Sequence, residues 1–454
     1  MISMKLSAAA SAINAHLHGA DSVFTGVSTD TRSLTAGQLF FALRGPNHDA
    51  HHRLSEAQAA GAVGAVVERH MPSALPQLVV CDSRRALGVL ACDWRMRFQL
   101  PVLAVTGSAG KTTVKEMLAA IMRTRGPVLA TRGNLNNDIG LPLTLFQLDA
   151  GHHAAVLEMG ANQAGDIALL ATIARPQIGV ITLCAAAHLE GFGSIEGVAR
   201  TKGELFAALD SNGTAVLNNE DEQAPLWRRL AGARTMLSFG AGGDFSARGV
   251  HATTEGNRFI LRAPSGEIEV AIPHRGLHNV RNALAAAAAA HAAGVSLVDI
   301  ARGLAAAGTV TGRLQFRAGV AGSRLIDDTY NANPASLAAA LDVLGAEREP
   351  RWLVLGDMRE LGPDTVQYHR AVGTQAESAG VSRLFTIGAL AQHAAECFAG
   401  AVTHSSAQDK LVIALRMALA EEMSSPPTIL LKGSRAMALD QVANAIAAEG
   451  ASAC

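Results

Sequence analysis

The sequence predicts an α/β protein of three domains. The central one is built on a mainly parallel sheet with a small antiparallel extension, and a doubly wound βα domain follows it. Three observations carry this. Apolar runs of strand length alternate with helix-length stretches along most of the chain. The run at 102–106 leads directly into Thr-Gly-Ser-Ala-Gly-Lys-Thr-Thr at 106–113, a glycine-containing turn at the start of a helix. A length of 454 residues exceeds what a single core supports and points to about three domains, with boundaries near 98 and 313.

Residues 1–98 carry their own alternation: strands at 39–43, 62–67 and 78–81, and a helix at 54–60. Two polar clusters sit beside them, one holding Ser28, Thr29, Asp30 and Arg32, the other Asp49 and His51. Turn formation accounts for such residues through local hydrogen bonds alone.

Residues 99–313 form the central domain. A strand, a Gly-rich turn and a helix N-terminus make a phosphate cradle, because backbone N–H groups and the helix dipole favour an anion there. Gly107 and Gly110 let the backbone come close to the phosphates, with Ser108, Ala109 and Thr113 completing the turn. Lys111 is placed to reach terminal phosphates and Thr112 to offer a hydroxyl to Mg²⁺. The pattern is a shortened phosphate loop, since Val105 stands where the first glycine usually falls. Continuous apolar runs at 154–158 and 178–183 read as strands covered on both faces. Glu158 ends one and His188 follows the other, which puts both at the ligand-binding edge of the sheet, beside the loop. A helix at 195–209 contains Lys202, and Gly203 within it marks a close approach to something. Between 211 and 272, short β runs at 214–217, 258–261 and 268–272 form the antiparallel extension. Asn279 and Asn282, three apart, share one face at the start of an Ala-rich helix.

Residues 314–454 form the third domain, Rossmann-like, with strands at 324–326, 352–355, 384–387 and 429–431. Their C-terminal loops carry polar residues at 327–334, 356–358 and 432–435.

A net charge of −1 argues against a nucleic-acid partner or a polybasic membrane surface. Five scattered cysteines without a C-x-x-C pair fit a reducing cytoplasm. No basic start followed by an apolar core suggests a leader, and the alanine run at 283–293 is too short to span a bilayer.

Together these motifs resemble the Mur ligases, the ATP-dependent amide-forming enzymes of bacterial cell-wall synthesis. The resemblance covers nearly the whole chain. It rests on T-G-S-x-G-K-T-T at 106–113, A-H-L-E-G-F-G-S at 187–194, K-G-E at 202–204, H-N-x-x-N at 278–282 and Gly312-Arg313. G-N-L-N-N-x-I-G-x-P-L-T at 133–144, D-D-x-Y-N-A-N-P at 327–334, L-G-D-M at 355–358 and K-G-S-R at 432–435 resemble the member that adds a dipeptide. The resemblance implies ligation of D-alanyl-D-alanine to UDP-N-acetylmuramoyl-tripeptide through an acyl phosphate, by a cytoplasmic monomer. It implies catalytic roles for Lys111, Glu158, His188 and Lys202. Two Mg²⁺ ions would be held by Thr112, Glu158, His188 and Lys202, the last as a carbamate formed with CO₂. Asn279, Asn282, Arg313 and Asp328 would hold ATP. The N-terminal clusters would hold the UDP-sugar, Asn134, Asn136 and Asn137 the muramoyl peptide, and Tyr330, Asn331 and Asn333 the dipeptide. The third domain would close over the second.

Three places depart from the family pattern: Leu183 stands where Asn is usual, Arg359 follows Gly-Asp-Met where a smaller or apolar residue is commoner, and Ala50-His51-His52-Arg53 replaces a more usual aromatic-containing stretch. The competing readings are another Mur ligase or a folylpolyglutamate synthetase adding one amino acid, a phosphate-loop switch protein, and a catalytically dead nucleotide binder.

Overall fold

The computed structural model describes residues 1–186, 189–422 and 425–448. Its centre is a six-stranded sheet in the order Thr235–Phe239, Thr214–Asn218, Ile178–Ile181, Val102–Thr106, Ala154–Glu158, Val128–Ala130, parallel throughout. Strand Val102–Thr106 is flanked on one side by Ile178–Ile181 and on the other by Ala154–Glu158, so the chain order reverses about it. At such a reversal the loops diverge and leave a crevice at the strands' C-terminal ends. All of Val102–Thr106 is buried, as its unbroken apolar sequence requires for a strand covered on both faces.

One expectation is corrected. Thr214–Asn218 is not part of the antiparallel extension; it pairs in parallel with Ile178–Ile181. Four of its five residues are buried, the pattern of an interior parallel strand. The antiparallel extension is the three-stranded ribbon Ser246–Thr253, Gly256–Ala263, Gly266–Ile272.

Helix Lys111–Arg123 begins at the cradle itself. Against it lies Leu277–Ala292, in which Ala283 and the run 285–290 are fully buried, so the small side chains let the two helices pack closely. Helix Leu297–Ala305, capped by Ser296, comes closer still: a Cβ on Gly303 would lie 2.4 Å from the Ile121 Cα.

The N-terminal region holds a five-stranded sheet ordered His16–His18, Gln77–Val79, Gly64–Val67, Leu39–Phe41, Val27–Ser28, plus the antiparallel pair Ser3–Lys5 and Val23–Thr25. The C-terminal sheet runs Gln315–Ala318, Arg324–Asp328, Thr428–Lys432, Arg351–Gly356, Val381–Ile387, Ala401–Ser405, parallel apart from its first strand. Apolar clusters cover both of its faces. Helix Pro334–Gly345 starts sharply because Asn333 and Ser336 form a capping box and Pro334 suits a first turn. Cys81, Cys92, Cys184 and Cys397 are free thiols, and no described helix is long and apolar enough to cross a membrane.

A Cβ at Gly303 would meet backbone atoms of Ile121 and Ala120, which leaves no flexible side chain to move aside. Gly303→Ala should therefore destabilise the protein by roughly 1–3 kcal/mol, read as a lowered urea midpoint.

Candidate active site

The phosphate loop is tightened from three directions. Gly107 has φ +144°, and a Cβ there would sit 1.9 Å from Thr182 Oγ1 on the next strand's extension. Gly110 has φ +79°, and a Cβ there would sit 2.6 Å from Asn282 Oδ1. Both positions thus need glycine for conformation and for room. The loop's polar groups are fixed as well. Ser108 N donates to Leu183 O (2.9 Å), Ser108 Oγ to Ala185 O (3.1 Å), and Thr182 Oγ1 to Ala109 O (2.6 Å). Leu183 therefore supports the loop through its backbone, a task that does not depend on the side chain the family usually carries there. Lys111 Nζ donates to Gly107 O (2.7 Å). Burial pulls its amine below the usual lysine range, with the Glu158 charge acting the other way.

Glu158 ends the neighbouring strand and is buried. Its N–H donates to Thr131 Oγ1 (2.9 Å), and its Oε1 accepts from Asn136 Nδ2 (2.8 Å). Its Oε2 is buried without a hydrogen-bond partner among the described residues. A buried carboxylate oxygen with no donor carries a desolvation cost that a bound cation would offset, which fits a divalent ion beside Thr112. Lys202 is 2% exposed, on a helix capped by Ser194, with its amine 5.2 Å from the Phe192 ring centroid. Burial, and secondarily the nearby Lys111, bring its pKa down to about 7. Gly203 in the same helix does mark a close approach, but to another helix: its Cβ would meet Leu230 Cδ1 at 2.3 Å. His188 lies outside the described residues. Among those described, no three His, Cys, Asp or Glu side chains gather as a metal site, so Glu158 is the carboxylate left from the expected set.

Asn279 and Asn282 use each other: Asn282 Nδ2 donates to Asn279 Oδ1 (2.9 Å), and Asn279 Nδ2 to Arg275 O (2.8 Å). They line a cavity of about 490 Å³ together with Gly110, Thr113, Arg313 and Asp328. Arg313 reaches from beyond the hinge to donate to Thr112 Oγ1 (3.4 Å), and its guanidinium lies 4.3 Å from the Tyr330 ring centroid. Its Nε is buried without a partner among the described residues. Asp328 accepts from Leu314 N (3.2 Å) and forms a buried ion pair with Lys432. Lys432 went unassigned in the sequence reading, although K-G-S-R was visible as a motif; its pairing with Asp328 spans residues far apart in the chain. His274 and His278 were likewise missed. His274 lines this cavity, and burial brings the His278 imidazole down to about 4, so it is neutral at physiological pH.

A second cavity, of about 310 Å³, separates Ser108, Lys111 and Thr112 from the C-terminal loops, including Asn331 and Asn333. Asn333 Nδ2 donates to Ser108 O (3.3 Å), and Leu189 N to Glu360 O (2.9 Å), so the C-terminal lobe rests directly on the central one. Asn331 Oδ1 accepts from Ala332 N (2.9 Å).

The remaining expected residues lie away from these cavities. Asn136 is spent on Glu158, Asn137 Oδ1 accepts from Gly140 N (2.8 Å) at a helix start, and Asn134 O accepts from Asn136 N (2.8 Å). Near Thr29, Ser28 and Arg32 both bond to Asp30, and the Arg32 guanidinium brings the Asp30 carboxyl down to about 2. Asp49 accepts from His51 N (3.0 Å), and Glu68 N donates to His51 Nε2 (2.8 Å). Local turn and cap chemistry thus engages Ser28, Asp30, Arg32, Asp49 and Asn137, whereas the Asn136 side chain makes a long-range contact.

Comparison with known proteins agrees with this geometry. The Mur ligase middle domain matches residues 105–290, and the Mur ligase, glutamate ligase domain matches residues 312–435. The UDP-N-acetylmuramoyl-tripeptide–D-alanyl-D-alanine ligase of Escherichia coli is 43% identical over 99% of this chain and 100% of its own. The crystal structure of MurF from Acinetobacter baumannii superposes with a TM-score of 0.94 at 35% identity, covering 98% of both chains. MurF ligase from Thermotoga maritima, solved with ADP, gives 0.82 at 28% identity, covering 92% of this chain and 96% of that one. The fold, the glycine cradle and these full-length matches lead to one assignment: the chain belongs to the Mur ligase family of ATP-dependent, amide-forming enzymes.

Proposed function

We propose that the chain joins D-alanyl-D-alanine to UDP-N-acetylmuramoyl-tripeptide, with ATP converted to ADP and phosphate, giving the pentapeptide precursor of peptidoglycan. One juxtaposition carries this reading. The phosphate loop faces the C-terminal loops across a single cavity, where a terminal phosphate and an incoming nucleophile can meet.

A carboxylate is a poor electrophile, so the tripeptide's terminal carboxylate is first phosphorylated by ATP. Lys111 and Arg313 line that cavity, which supports a role for them in stabilising the charge that builds on the transferring phosphoryl group, since fixed cations do so without reorganising. The dipeptide's amine then attacks the acyl carbon, the amide forms and phosphate leaves. Magnesium supplies further charge neutralisation when bound. Thr112, Glu158, His188 and Lys202 as a carbamate are the residues to hold two such ions. The unpaired Glu158 Oε2 supports that assignment. Contacts from Asn333 to Ser108 and from Leu189 to Glu360 keep the lobes together, so that water is kept from the intermediate.

In this reading, residues 99–313 bind ATP through the loop 107–113, Asn279, Asn282, Arg313 and Asp328. Residues 314–454 receive the dipeptide near Tyr330, Asn331 and Asn333. Residues 1–98 hold the UDP-sugar through Ser28, Thr29, Asp30, Arg32, Asp49 and His51, and Asn134, Asn136 and Asn137 lie towards the muramoyl peptide. The protein works as a cytoplasmic monomer on small molecules, and cell shape and division depend on its product.

Phosphate release should require ATP, Mg²⁺, the UDP-muramoyl-tripeptide and the dipeptide together, with a pentapeptide product by mass. Release with a single D-alanine or glutamate would move the assignment to another ligase of the family. Gly107→Ala should abolish ATP binding in calorimetry, because the added carbon overlaps Thr182 Oγ1. Only the neutral Lys202 amine reacts with CO₂, releasing one proton. With a pKa of about 7, the reactive fraction rises as pH goes from 6 to 8. A ¹³C-bicarbonate NMR carbamate signal should grow over that range and be absent in Lys202→Ala.

A further inference from the structure

The cavity between the phosphate loop and the C-terminal loops is lined by several cations, and nearly all are already engaged. Lys111 donates to Gly107 O (2.7 Å), Arg313 bonds Thr112 and stacks on Tyr330, and Arg435 pairs with Asp440 (3.1 Å). Arg359 lines the same cavity as an exposed side chain, and its guanidinium has no hydrogen-bond or ion-pair partner among the described residues. Its backbone is nevertheless held on both sides. Arg359 N donates to Ser434 Oγ (2.9 Å), and the following carbonyl, that of Glu360, accepts from Leu189 N (2.9 Å). An exposed, unpaired guanidinium on a backbone held at both sides is available to an anionic ligand.

The ligation chemistry brings one. The acceptor dipeptide must present its amine to the acyl phosphate, beside Lys111 and Arg313. Its carboxylate then lies at the far end, about 7 Å away when extended. Arg359 belongs to the wall built by the C-terminal loops, where that end would fall, and a guanidinium fork matches a carboxylate in two parallel bonds. On the basis of the ligase reading above, we propose that Arg359 binds the C-terminal carboxylate of the acceptor dipeptide and makes a free carboxylate a requirement for the acceptor.

The test compares wild type, Arg359→Ala and Arg359→Lys in steady-state ligation, with D-alanyl-D-alanine and its C-terminal amide as acceptors. Loss of a charged hydrogen bond predicts a KM for the dipeptide raised on the order of 10- to 100-fold in Arg359→Ala, with the KM for ATP unchanged. Arg359→Lys should retain part of the affinity. Wild type should prefer the acid over the amide, and Arg359→Ala should treat the two alike. A raised KM for ATP or a lowered kcat, with the acid-to-amide preference intact, would overturn the proposal and put Arg359 on the phosphoryl group. Unchanged constants throughout would overturn it in favour of a solvated side chain. Should wild type reject the dipeptide and use another acceptor, the ligase reading fails first, and the wild-type control alone reveals it.

Discussion

The phosphate loop has no slack. A methyl group's worth of space is missing at Gly107 on the side of Thr182, and at Gly110 on the side of Asn282. Those two contacts belong to different parts of the central domain, one to the neighbouring strand's extension and the other to the Ala-rich helix. The cradle is therefore a gap left between elements packed for other reasons, and its shape is inherited from their packing. That explains why Leu277–Ala292 is so rich in alanine: larger side chains would push it, and Asn282 with it, away from the loop.

The same economy governs the charged groups. Glu158 is gripped at its backbone by Thr131 and at one oxygen by Asn136, and its other oxygen is buried without a hydrogen-bond partner among the described residues. Lys202 is buried with Lys111 nearby, and burial first and that neighbouring cation second favour its neutral form. Asp328 and Lys432 instead neutralise each other as a buried ion pair across the C-terminal sheet.

Much of this was legible in the sequence. The cradle was visible because a strand, two glycines and a lysine are adjacent in the chain, and Glu158 because it ends an apolar run. Long-range partnerships were not legible. Nothing in the local pattern announces that Lys432 meets Asp328, that His274 and His278 line the same cavity as Asn279 and Asn282, or that Asn136 bonds Glu158. Thr214–Asn218 was misplaced because glycines and asparagines nearby suggested hairpins, while its continuous apolar character already marked a strand buried on both faces. Gly203 was correctly singled out as a close approach, but sequence spacing could not say that the neighbour is the Leu230 side chain.

Asn333 has a consequence of a different kind. Its side-chain oxygen caps helix Pro334–Gly345, while its amide nitrogen reaches Ser108 in the other lobe. One residue thus starts a helix and docks a domain, so inheritance cannot adjust the two separately. A lineage seeking a looser or tighter grip between the lobes must find it elsewhere, in residues free of a folding duty. The loop around Arg359, where this chain already departs from its relatives' pattern, is such a place.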